Sequence, residues 1–169
     1  MHPEAHSWVA NHATAEAVTV LDIGGRNING TVRDLFPGAV SYTALDIREG
    51  DGVDIVADAA TWEPTGLWDV VVCCEVFEHA AQWRDICATT FKALRPGGLF
   101  ITTMAGTGRP EHSGVDGGPS LWPGEHYGNV AGADLEVRLK ECGFADVTVD
   151  EQPSPADTRA VATRPQGSV

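Results

Sequence analysis

The segment Trp68-Asp69-Val70-Val71-Val72-Cys73-Cys74 constrains this chain more than any other. It is apolar almost throughout and rich in β-branched residues. A strand that is apolar on both faces must be covered on both. That is the situation of a central strand in a parallel sheet, not of a half-exposed hairpin strand. Similar short runs occur along the chain: Val18 to Ile23, Ser41 to Ile47, Val53 to Asp58 and Leu99 to Thr103. Segments with helical signals alternate with them. Residues 3–17 read as a short helix around Trp8 and Val9. Thr31 to Phe36 reads as another, stopped by Pro37-Gly38. Trp83, Ile86, Cys87, Phe91 and Leu94 recur at helical spacing, and Arg95-Pro96-Gly97-Gly98 closes that helix with a cation, a breaker and two turn formers. Leu135, Leu139 and Cys142 mark a last helix, with Gly143 placed as its C′ residue.

This alternation predicts an α/β chain: a Rossmann-like, doubly wound, mostly parallel sheet with helices on both faces. Two final strands, Asp146 to Val149 and Arg159 to Ala162, are joined through Pro153 and Pro155 in a way that suits antiparallel pairing. One junction fits poorly. Only Arg48 to Gly52 separates the second and third strands, whereas a parallel crossover takes about a dozen residues. Either that crossover is a bare loop or the third strand is marginal. Residues 106–129 are rich in Gly, Pro and His and show no period. Long loops of this kind in compact domains carry function, so this one is expected to lie over the site. The 169 residues suit a single domain over 1–169, with its core at about 18–163.

Composition narrows the partners. Asp and Glu number 24 against 11 Lys and Arg, a formal charge of −13. Such a surface repels phosphate backbones, which argues against nucleic acid. Cys73, Cys74, Cys87 and Cys142 form no CxxC pair, so neither a disulfide framework nor a zinc site is expected. They read as buried thiols in a reducing cytoplasm. No secretory leader and no apolar run long enough for a membrane span is visible.

In open α/β sheets, ligands bind beyond the carboxyl ends of the strands. Three strands end in an acid there: Asp22, followed by Gly24-Gly25; Asp46, followed by Ile47; and Asp58, followed by Ala59. Glycine lets the backbone turn sharply and approach a ligand. Asp46 lies at the distance from the first loop expected of an acid that grips ribose hydroxyls. Asp58 is placed to accept from an adenine amine. The glycine spacing does not match G-x-G-x-x-G, which counts against a pyrophosphate site.

Taken together, the segments VLDIGGRNING at 20–30, ALDI at 44–47, VADA at 56–59, WDVVVCCEVFEHA at 68–80 and ALRPGGLFITT at 93–103 resemble the class I S-adenosylmethionine-dependent methyltransferases in their small methyltransferase-domain form. The similarity spans about Val18 to Thr163. It implies a strand order of 3-2-1-4-5-7-6 with the seventh strand antiparallel, and S-adenosyl-L-methionine as cofactor. It further implies that Asp22, Gly24 and Gly25 hold the methionine part, Asp46 with Ile47 the ribose, and Asp58 with Ala59 the adenine. Cys74 or Glu75 would lie near the methionine end. Where that family often has further glycines in the first loop, this chain has Arg26 and Ile28.

The implied activity is methyl transfer to an unidentified acceptor, a small molecule by the charge argument. His79, His112, His126 and Tyr127 are the candidate bases. Glu75, Glu78 and His79 form an E-x-x-E-H run, similar to one that binds a divalent cation in ubiquinone-biosynthesis O-methyltransferases; the expectation is no metal, with that triplet as the alternative. Two other readings stay open: a nucleoside-binding module without catalysis, and a nicotinamide-dependent oxidoreductase.

Overall fold

The computed structural model describes residues 1–167. Seven strands form one sheet: β1 (Thr19–Ile23), β2 (Ser41–Asp46), β3 (Ile55–Val56), β4 (Trp68–Cys74), β5 (Leu94–Ala105), β6 (Ala145–Gln152) and β7 (Asp157–Thr163). Their order is β3-β2-β1-β4-β5-β7-β6. Strands β1 to β5 pair in parallel, and β7 runs antiparallel to both β5 and β6. The expected architecture and strand order therefore hold.

The central strand is buried as its composition demands: Val71, Val72 and Cys73 have no exposed surface. Alternate residues feed two cores. Leu21, Ile23, Val71, Cys73, Phe100 and Met104 face helices α2 (Trp83–Ala93) and α3 (Gly132–Cys142). Val20, Val70, Val72 and Ile101 face helix α1 (Pro3–His12), where Val9 is fully buried. Helix α2 buries Trp83, Ile86, Cys87, Thr90 and Ala93, one strip at helical spacing. Helix α3 stops at Gly143, whose φ of 98° closes the last turn on the carbonyls of Leu139 and Lys140.

Three local expectations are corrected and one open junction is resolved. The first helix ends at His12, not near residue 17. The Thr31–Phe36 segment makes only a single 3-10 turn, Arg33–Leu35, because Gly30 and Pro37-Gly38 leave too few residues between them for a helical nucleus. The third strand shrinks to two residues and its crossover is a bare loop, so both alternatives for that junction hold. Arg95 to Gly98 lies inside β5: Trp68 pairs with Leu94 and Val70 with Leu99, and the intervening residues bulge out. Gly97, at φ 82°, turns that bulge and donates to the Arg164 carbonyl.

Candidate functional site

The carboxyl ends of β1 to β5 open into a cleft with two lobes. The smaller lobe, about 210 Å³, lies beyond β1 to β3. Its walls are the apolar Ile23, Leu45, Ile47, Ala57, Ala59 and Ile86, with Asp46 and Asp58 at the rim. The larger lobe, about 550 Å³, takes in Asp22, Gly24, Gly25, Cys74 and Glu75 and continues under the post-β5 loop at residues 109–114. Gly24, Arg26, Ile28, Glu75, His79 and Gly114 line both. All nine residues expected to contact a cofactor therefore line one cleft.

The first loop is built for close approach. The N–H groups of Gly24 and Gly25 both donate to the Leu45 carbonyl, at 2.7 and 3.1 Å. Gly24 has φ 80°, and a Cβ there would meet Val76 Cγ2 at 2.1 Å, so only glycine fits. Asp22 is buried beneath this turn and accepts the Tyr42 hydroxyl at 2.7 Å. Burial pushes its pKa up to about 6, with the Tyr42 hydrogen bond pulling the other way. Asp46 accepts the backbone N–H of Arg48 at 2.9 Å and that of Arg26 at 3.4 Å. Asp58 accepts the Ala60 N–H at 2.9 Å.

Glu75 follows β4 at φ 57°, an uncommon backbone for a non-glycine residue. Thr103 Oγ1 donates to its Oε1 at 2.9 Å, and His2 Nε2 lies 3.4 Å from its Oε2. Burial opposes ionisation of Glu75, but His2, Thr103 and Arg109 outweigh it and hold the carboxylate below its usual range. Cys74 is pushed up by burial and stays a neutral thiol.

Of the four candidate bases, three meet. The rings of His79, His112 and Tyr127 lie 5.0 to 5.5 Å apart, centre to centre, in edge-on packing. His79 lines the cleft, and its buried Nδ1 has no hydrogen-bond partner among the described residues. Burial, then the neighbouring His112, lowers its pKa to about 4, so the ring is neutral at neutral pH. Tyr127 donates to the Pro110 carbonyl at 3.0 Å, and burial raises its pKa to about 12. His126 is exposed and lines neither lobe. Tyr127 is half-buried and lines neither lobe either, but its ring packs on His79 and His112, whereas His126 makes no ring contact among the described residues.

The E-x-x-E-H run is also split. Glu75 turns toward Thr103 and His2, whereas Glu78, His79 and His112 each bring a ligand atom within 4.8 Å of the others, the only such group among the described residues. Glu78 is fully buried; one oxygen accepts the Ala105 N–H at 3.1 Å, and the other has no partner among the described residues. Burial first, and then the Glu75 charge, raise its pKa well above the usual range.

Sequence reasoning missed three residues. Arg26 spans the junction of the lobes and donates to the Gly114 and Val115 carbonyls at 3.3 and 3.2 Å, tying the long loop down over the cleft. His2 and Arg109 line the larger lobe. Arg26 stood out only as a break in a glycine pattern; the other two carried no local signal.

A sheet of this order, with a cleft across the carboxyl ends of β1 to β5, defines the Rossmann-like class of α/β proteins. The family model described as a methyltransferase domain matches residues 7–149, and the chain belongs to that family. It is similar to the ubiquinone biosynthesis O-methyltransferase of Paraburkholderia xenovorans, 30% identical over 122 residues that cover 62% of this chain and 52% of that one. The chain thus spans about half the length of the curated relatives it matches. Among solved structures, the DhpI–SAH complex superposes with a TM-score of 0.71 at 20% identity, covering 98% of this chain and 84% of that one. A 1,6-didemethyltoxoflavin-N1-methyltransferase from Burkholderia thailandensis, solved with 1,6-didemethyltoxoflavin and S-adenosylhomocysteine, gives 0.68 at 15% identity, covering 97% and 78%. At these identities the structures support the fold. No helix among the described residues is long and apolar enough to cross a membrane.

Proposed function

We propose that this chain is an enzyme domain that binds S-adenosyl-L-methionine and transfers its methyl group to a small-molecule acceptor. One observation carries the reading: the three strand-end acids and the Gly24-Gly25 turn, picked out in sequence as a nucleoside cradle, line one continuous cleft with an apolar lobe at its adenine end.

The residues present fit that cofactor. Asp46 offers a carboxylate to two ribose hydroxyls, and Asp58 accepts from the adenine amine between Ile47 and Ala59. Asp22, Cys74 and Glu75 surround the methionine end, where ionised Glu75 suits an ammonium. The sulfonium supplies an electrophilic methyl group; the protein's task is to align a nucleophile with it and exclude water. Arg26, by holding Gly114 and Val115, closes the roof. His79 is neutral and its ring lies on the cleft wall, so it accepts a hydrogen bond from a hydroxyl or amine acceptor and relays the proton lost on attack to water, its pKa of about 4 being too low to keep it. His112 and Tyr127 hold its ring in place.

Titrating the protein with S-adenosylhomocysteine and, separately, with NAD tests the reading. Saturable binding of the first alone supports it. Binding of NAD alone, or of neither, refutes it.

A further inference from the structure

Beyond the acceptor's size, the larger lobe carries information about its charge. Arg109 follows β5 and its Nη1 is fully committed: it donates to the buried Asp157 carboxylate at the start of β7 and to the Pro155 carbonyl at 3.3 Å, and lies 3.3 Å from His2 Nε2. Its Nη2 and Nε make no hydrogen bond among the described residues. The side chain is 17% exposed, and it lines the larger lobe. A guanidinium pinned by one nitrogen, with no hydrogen bond on the other two among the described residues, on a residue that lines a cavity, offers a fork that matches a carboxylate.

The surrounding charges leave that fork unquenched. Asp157 is shared by Arg109, Arg159 and His2, and Glu75 is taken by His2 and Thr103. With Glu4 on His2, three carboxylates and three cations make up the knot. Glu4 touches only the outer nitrogen of His2. The hydrogen bonds from Asp157 and Glu75 raise His2 to about 10, so its ring is charged at neutral pH. Elsewhere the lobe carries Asp22, which lies under the first loop, and the exposed Glu111.

We infer that the methyl acceptor is an anionic small molecule, its carboxylate gripped by the open edge of the Arg109 guanidinium in the larger lobe beyond β5 and β7. The inference rests on the methyltransferase reading and names its substrate class. The cofactor's own carboxylate is the competing source of the same chemistry. Both sources fall in the larger lobe, because the methionine-end residues Asp22, Cys74 and Glu75 line it together with Arg109 and His2, so the arms of the experiment separate them.

The test uses the full chain saturated with S-adenosylhomocysteine and matched probe pairs observed by ligand-detected NMR: benzoate with benzamide, phenylacetate with phenylacetamide, and 3-hydroxybenzoate with 3-hydroxybenzamide. The expected result is that at least one carboxylate binds roughly tenfold or more tightly than its amide. Arg109→Gln should abolish that preference while leaving the affinity ratio of S-adenosylhomocysteine to its carboxyl methyl ester unchanged. If Arg109→Gln does not fold, Arg109→Lys keeps the charge beside Asp157 but not the fork; it should lose most of the preference. No preference in any pair, including no binding by either member, overturns the inference, as does a preference that survives both substitutions. If Arg109→Gln weakens S-adenosylhomocysteine but not its carboxyl methyl ester, which keeps the ammonium that Glu75 faces, the anion is the cofactor's and the inference fails. S-adenosylhomocysteine that does not bind the parent protein overturns the methyltransferase reading and this inference together; binding without anion preference overturns this inference alone.

Discussion

Asp22 is a buried acid kept at a cost, and the cost can be measured. Burial raises its pKa from an ordinary 3.8 to about 6. The folded state therefore resists ionising it, while the unfolded chain ionises freely. The stability tied to its neutral form is intact below the ordinary value and is lost as pH rises through about 6. By linkage the loss approaches roughly 3 kcal/mol at neutral pH. Asp22→Asn removes the titration yet keeps an oxygen to accept the Tyr42 hydroxyl. Urea unfolding of parent and variant should then show a gap in the variant's favour that widens with pH. Between about pH 5 and about pH 7.5 the widening should be roughly 1.5 kcal/mol. That window stays above the isoelectric point of about 4.6. The same substitution should weaken S-adenosylhomocysteine, since the acid is retained for the ligand end of the cleft. A gap that stays constant across the window, or narrows, refutes the reasoning.

Other consequences follow from the same geometry. Gly24→Ala combines a left-handed backbone, costing roughly 1–2 kcal/mol, with a methyl driven into Val76, costing roughly another 1–3 kcal/mol; Gly30→Ala, strained at φ 111° but in open space, should lose only the first, as urea midpoints will report. The His79 ring should still be neutral at about pH 5.5 in nitrogen-detected NMR; a charged ring there contradicts its burial. With Glu78 protonated in its pocket, neither chelation nor added zinc or manganese should move the melting temperature. A rise on metal addition would show that Glu78, His79 and His112 bind a cation.

Much of the fold was legible because burial writes a clear pattern. A parallel strand covered on both faces, such as Trp68 to Cys74, has no choice but to be apolar throughout, and helix α2 shows its strip at the right spacing. The acids at the ends of β1 to β3 were legible too, since each sits at a fixed place relative to its strand. What escaped depends on contacts between distant residues. Thr31 to Phe36 has a helical outline, but its boundaries leave room for one turn. His2, Arg109 and Asp157 meet only because α1, the post-β5 loop and β7 converge in space, and no local pattern records that. His126 and Tyr127 are indistinguishable as neighbours in a loop; packing alone sends one inward and the other out. Glu75 and Glu78 belong to one motif, yet the positive φ at Glu75 turns its side chain away from Glu78.

The central claim is that the strand ends form one nucleoside cleft with Asp46 on the sugar. Calorimetric titration of S-adenosylhomocysteine into Asp46→Ala tests it most directly. Loss of two charge-assisted hydrogen bonds should weaken binding about a hundredfold while the melting temperature of the free protein changes little. An affinity equal to the parent's would contradict the account.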